Sequence, residues 1–209
     1  MATRPAWFVR KGKVQMANFD FTFNPGFSAT QKKKNVAALH ESIGKKSLEI
    51  STKSDERLGV MLSAFNLKLD EKPFECVFQA SKKYSEGGPY LDLMNVHPKE
   101  AKRDERHQTS GKLMAFVYNG EEFALEPKTF FYDYMYIKAV KQSISKENII
   151  QVKDYEYFTD IEFNPNRSVN CQAKSVAVIK AMLERFGEIP DFNRQDFELL
   201  YNLISADNA

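Results

Sequence analysis

Near the start of the chain, Phe19, Phe21 and Phe23 alternate with Asp20 and Thr22, the period-two pattern of a half-buried strand. With Lys11-Gly12 as a turn pair before Val14, residues 7–23 predict paired β structure, which Asn24-Pro25-Gly26 then stops. Ser28 is placed to cap a helix reaching Ile43, with Gly44 at the left-handed position that ends helices. Short strands are expected at 48–50 and 59–65. Helical spacing recurs at 74–85, 98–106, 127–142, 170–186 and 193–204. Pro98 and Pro127 suit a first helical position and Asn170 an N-cap. Leu113 to Tyr118 and Phe123 to Leu125 predict a hairpin about Asn119-Gly120. Strands and helices mix without strict alternation, so the expected class is α+β. It is read as a single domain over 1–209, mostly helical with short strands and an N-terminal β-hairpin. The core is expected at about 20–186 and a C-terminal helix at 193–204.

Composition supports a self-sufficient core: 43% of the 209 residues are hydrophobic, and Phe and Tyr make up nearly all of an aromatic fraction of 13%. Cys76 and Cys171 lie in no Cys-x-x-Cys or Cys/His cluster, so neither a disulfide framework nor structural zinc has support. A reduced, cytoplasmic protein is the expectation. Neither an apolar signal region nor a stretch of about 18 apolar residues occurs, so no membrane partner is expected. Thirty basic against 28 acidic residues leave a formal charge of +2, too balanced for a protein that grips duplex DNA mainly by phosphate neutralisation. Any nucleic-acid contact must then be local, at Lys32-Lys33-Lys34, Lys45-Lys46 or 99–106, each of which also reads as an ordinary solvated face.

The chain lacks the sequence signatures of dinucleotide, P-loop, zincin and nucleophile-elbow sites. His40, His97 and His107 are too scattered for a metal set, and no cofactor or metal is expected. Within PFECVFQASKKYSEGGP, Glu75, Gln79 and Lys82 stack at i, i+4 and i+7 along one face of the expected helix. Any amphipathic surface helix shows the same split, but Phe78 beside the stripe makes it partly buried. A lysine and a carboxylate held in such a place perturb each other's protonation. A second polar concentration is YEYFTDIEFNPNRSVN, where Asp160 and Glu162 are expected to project to one side of a strand end, or to cap a loop. In TFFYDYMYIKAV, Phe130, Phe131, Tyr134 and Ile137 fall at core spacing, leaving Asp133 and Lys138 for the exposed face.

Taken in order, these segments resemble the NADAR family, and within it the branch encoded beside DNA-modifying ADP-ribosyltransferase toxins of the DarT type. The matching pieces are Ser63-Ala64-Phe65-Asn66, Glu75 with Gln79 and Lys82, Ala101-Lys102-Arg103, and Asn170 at the head of a C-terminal helix. FNPGFS, GGPYLDL, KEAKRDER, LEPKTFFYDYMYIKA and FTDIEFNP point to the toxin-associated branch. Where relatives commonly carry His after the helix glutamate, this chain has Cys76. Where many have Trp-Gly and Leu-Gly, it has Phe158-Thr159-Asp160 and Cys171-Gln172-Ala173.

The resemblance implies an N-glycosidase that removes ADP-ribose from guanine in DNA as antidote to the toxin. ADP-ribosylated DNA, single-stranded by preference, would be substrate and ADP-ribose product, with the toxin a functional rather than a physical partner. Two alternatives stand beside it: an N-glycosidase acting on a small ribosylated amine, and a non-catalytic module that binds ADP-ribose or the toxin. Breaking a C–N bond at an anomeric carbon needs a carboxylate for the sugar's developing positive charge and a proton donor for the base. Glu75 or Asp160 suits the first role and Lys82 the second, unless a neutral Lys82 forms a Schiff base with the opened sugar. Arg103 suits the pyrophosphate, Phe65 and Asn66 the base or sugar. Gln79 and Asn170 complete the expected substrate-binding set.

Overall fold

The computed structural model describes residues 1–166 and 168–205. In chain order the elements are β1 (Ala2–Arg10), β2 (Lys13–Phe21), α1 (Ala29–Ile43), β3 (Ser47–Glu49), α2 (Arg57–Met61), β4 (Lys68–Leu69), β5 (Lys72–Pro73), α3 (Phe74–Ala80) and β6 (Lys82–Tyr84). They continue as α4 (Pro98–Arg103), α5 (Arg106–Thr109), β7 (Leu113–Tyr118), β8 (Glu121–Phe123), α6 (Phe130–Ser143), α7 (Lys146–Ile149), β9 (Tyr157–Thr159), α8 (Gln172–Phe186) and α9 (Arg194–Ile204). The fold is α+β and opens on a β-hairpin. Contacts divide it into two compact units, one of residues 1–63 with 144–209 and one of 64–143.

In the first unit, Lys11 and Gly12 take φ of 53° and 72°, the two left-handed residues of a tight hairpin turn, and this sets Val9 opposite Val14. β9 pairs antiparallel with β1 and parallel with β3, giving the order β2-β1-β9-β3. Ser28 accepts from Gln31 N at 3.2 Å to open α1, and Gly44 closes it at φ 65°. Leu39 and Ile43 of that helix pack with Ala6 and Phe21, while α8 lies on β1, β2 and β9. Residues 57–61 form a helix rather than the expected strand: Gly59 lets this turn lie against the Glu49 carbonyl oxygen, which a Cβ would overlap. Cys171, not Asn170, occupies the N-cap position of α8, and its side chain makes no cap bond. Asn193 does cap α9, exchanging bonds with Asp196.

In the second unit, β6, β7 and β8 form a sheet in that order, with Asn119 and Gly120 at φ 49° and 80° in the hairpin turn. A separate two-strand ribbon joins β4 to β5. α3 and α6 meet through an aromatic core in which Phe78 stacks on Phe116 at 5.6 Å and Phe116 on Phe131 at 4.5 Å between centroids. The helix expected over 74–85 ends at Ala80, because residues 82–84 pair with β7 instead. The helix expected from Pro127 starts at Phe130, after Thr129 at φ 67°. Asp133, expected on the surface, is fully buried and accepts the Thr129 hydroxyl at 3.0 Å.

Candidate functional site

Glu75, Gln79 and Lys82 come together in the second unit although only the first two lie on a helix. Lys82 is the first residue of β6, opposite Phe116, one step beyond Ser81, whose hydroxyl bonds back to the Val77 carbonyl at 2.7 Å. Gln79, 5% exposed, links its two neighbours. Its Nε2 donates to Glu75 Oε1 at 2.8 Å, and its Oε1 accepts from Lys82 Nζ at 2.6 Å. Nζ also lies 5.6 Å from the centroid of the Phe78 ring. Burial is the main force lowering the Lys82 pKa, with the Lys102 charge acting the same way and Glu75 opposing both. Lys83 points elsewhere and pairs with Glu122 at 2.5 Å.

α4 is anchored beside this row. His97 and Glu100 close a capping box around its start, and Pro98 takes its first turn. Ala101 packs with Cys76, Ala80 and Leu93. Cys76, at the position where relatives commonly carry His, is a fully buried free thiol that donates to the Val96 carbonyl at 3.3 Å. It serves packing between α3 and α4. Lys102 follows Ala101 and stands 3.9 Å from Glu75 Oε1. Arg103 lies exposed in the last turn of the same helix. Phe65, 58% exposed, and Asn66 occupy the turn before β4. Arg106, at the end of the basic run, is committed to Asp92 and Asp104. In the other unit Lys32 and Lys33 pair with Glu162 and Asp55.

The first unit holds a second polar centre, around Asp160. Glu49, 1% exposed, takes three donors: the Ser51 hydroxyl at 2.7 Å, the Thr159 hydroxyl at 2.7 Å and Ile161 N at 2.9 Å. Because the single Thr159 proton goes to Glu49, the His40 Nε2–H donates to Thr159 Oγ1 at 2.8 Å. Burial lowers the His40 pKa to about 4, so the ring is neutral at pH 7. Asp160, 8% exposed, accepts from Glu162 N and Gln172 Nε2, both at 3.0 Å. Asp160 and Glu162 therefore do not project together: Glu162 is exposed. Asn170, half-buried, lies in the segment before α8. Glu49 was not legible as a site residue, since it sits between Leu48 and Ile50 where alternation predicts an outward side chain.

Burial first, and then the neighbouring Glu49 charge, raise the Asp160 pKa from 3.8 to about 8. Burial raises Glu49 as well. The folded chain thus keeps a proton on Asp160 that the unfolded chain releases above about pH 4, so stability falls as pH rises from 4 towards 8. Urea unfolding at pH 5 and pH 9 should show the gap between wild type and Asp160→Asn shifting by about 4 kcal/mol in favour of the variant. A gap that stays constant with pH would mean that Asp160 ionises normally.

Among the described residues, no three of His, Cys, Asp and Glu gather as a metal ion would require. No helix among them is long and apolar enough to cross a membrane. No curated protein matches the chain. Residues 2–208 match the family model described as DarT1-associated NADAR antitoxin. The match spans both compact units and contains each of the polar rows described above, and the chain belongs to the family of DarT1-associated NADAR antitoxins.

Proposed function

We propose that the protein is an N-glycosidase that removes ADP-ribose from guanine bases in DNA and so reverses the damage done by a DNA ADP-ribosyltransferase toxin. The observation that carries this reading is the Glu75–Gln79–Lys82 row within a chain of this family. A half-buried amine whose proton affinity is lowered by burial and by a second cation is prepared to act as a nucleophile. Gln79, by accepting from Nζ, orients the amine, and Glu75 supplies negative charge near it without a direct ion pair that would hold the proton on.

The chemistry balances without a cofactor. The sugar ring opens, leaving the anomeric carbon doubly bonded to the base nitrogen. Lys82 Nζ adds to that carbon, the bond to the base nitrogen breaks, and the base leaves as a neutral amine after taking up a proton. Water hydrolyses the resulting lysine imine, releasing ADP-ribose and restoring the amine. Glu75 stabilises the positive charge that the imine carries when protonated. Arg103, exposed on α4, suits the pyrophosphate by bidentate bonds, and Phe65 with Asn66 suits the base or sugar. Glu75 takes the carboxylate role, and Asp160 and Asn170, which belong to the other unit, are given no step. Single-stranded DNA is the preferred form, because extruding the modified base from a duplex costs a few kcal/mol.

Incubation with single-stranded DNA carrying ADP-ribosylated guanine tests this reading. Mass spectrometry should find free ADP-ribose and the unmodified strand in equal amounts. Cleavage of a free ribosylated amine but not of modified DNA would select the small-metabolite alternative. Tight ADP-ribose binding with no turnover of either would select the binding module.

A further inference from the structure

We infer that Lys102 is a positioning residue for the amine of Lys82, acting through Glu75 and across the gap between α4 and β6. This deepens the proposed function, on which its catalytic meaning rests. Glu75 Oε1 accepts from Gln79 Nε2 at 2.8 Å and faces Lys102 Nζ at 3.9 Å. The other end of the Gln79 amide holds Lys82. The four side chains form a row in which two cations stand on either side of one carboxylate and one amide.

The backbone makes this arrangement durable. Ala101, the residue before Lys102, is fully buried against Cys76 and Ala80 of α3, so α4 cannot turn Lys102 away without opening that contact. Its side chain is 61% exposed while that of Glu75 is 13% exposed. Lys102 therefore delivers charge to a sheltered carboxylate from the solvent side, and desolvation costs it little. The charged and titratable groups bearing on Lys82 are Glu75 from α3, Lys102 from α4 and His107 from α5. His107 is tied down as a neutral ring, donating from Nε2 to the Ala101 carbonyl and accepting the Tyr84 hydroxyl at Nδ1, each at 2.9 Å. Burial lowers its proton affinity further, which leaves Lys102 as the cation that offsets Glu75.

Two effects of Lys102 then act in the same direction. Its charge repels a proton from Lys82, and by engaging Glu75 it weakens the attraction that would hold that proton in place. Arg103, next along α4, was the cation expected from the sequence to serve the site; Lys102 is the one that meets Glu75.

The test reads the amine directly. Trace reductive methylation of the full chain with formaldehyde and cyanoborohydride, quantified at each lysine by peptide mass spectrometry across pH, gives a midpoint for Lys82 that accessibility does not move. Exposed Lys68 serves as internal reference. In Lys102→Ala the Lys82 midpoint should move to higher pH, and the neutral fraction at pH 8 should fall about threefold. Lys102→Arg, which keeps the charge, should leave the midpoint near that of wild type. An unmoved midpoint in Lys102→Ala, or equal shifts in both variants, would overturn the inference. Normal turnover by Lys82→Ala would instead sink the proposed mechanism while leaving the labelling result intact.

Discussion

Lys82→Ala is expected to lower turnover of ADP-ribosylated single-stranded DNA by about a thousandfold, because it removes the amine proposed to react rather than a group that adjusts it. Single-turnover release of ADP-ribose measures the loss. The fold should survive the change. Lys82 is half-buried at the start of β6, and the backbone pairing of that strand with β7 does not depend on the side chain. Lys82→Arg should fail as well, since a guanidinium keeps its proton at any accessible pH. A Lys82→Ala protein that is folded by circular dichroism and loses less than about tenfold in rate would remove this residue from the chemistry.

The largest effect on stability is expected at Glu49. Truncation to Ala strands the Ser51 hydroxyl, the Thr159 hydroxyl and the Ile161 amide in a dry interior. Each buried donor left without an acceptor costs about 1–3 kcal/mol. Some relaxation and the removal of a buried acid offset part of this, so a net loss of about 4 kcal/mol is expected. For a chain of this length that lowers Tm by roughly 8–16 °C. Glu49→Gln keeps one acceptor oxygen and removes the charge beside Asp160, and should lose less than half as much. Thermal unfolding of the two variants at pH 7 compares them. Equal losses would mean that shape, not the set of donors, fixes this centre.

The legible parts of the fold were those whose signal is local. Ser28 and Gly44 bound α1 because a hydroxyl cap and a left-handed glycine act within one turn of the helix they close. Lys11-Gly12 and Asn119-Gly120 made their hairpins readable for the same reason: positive φ is required at both residues, and the sequence supplies residues that accept it. Where the structure departs from the sequence reading, partners distant in the chain decide. Residues 82–84 join a sheet because β7, thirty residues on, offers an edge. Residues 57–61 coil because Gly59 can approach the Glu49 carbonyl. Asp133 is buried where a helical wheel placed it outside, with the Thr129 hydroxyl as one of its donors.

The candidate site divides along the same line. The spacing of Glu75 and Gln79 was readable as one helical face, and Lys82 reaches Gln79 even though the helix has ended before it. Lys102 and Glu49 were not readable as site residues. The approach of Lys102 to Glu75 depends on how α4 packs on α3 through Ala101 and Cys76. The burial of Glu49 depends on Thr159 and Ile161, more than a hundred positions away. A family resemblance can mark such positions, but only folded coordinates say which groups face one another.

In the proposed reaction the Lys82 amine becomes bonded to the sugar, as an imine, while the base departs. Borohydride added during turnover of ADP-ribosylated single-stranded DNA should reduce that imine, inactivate the protein, and leave a reduced ADP-ribosyl adduct that peptide mass spectrometry places on Lys82. Undiminished turnover in borohydride, with Lys82 recovered unmodified, would contradict the account.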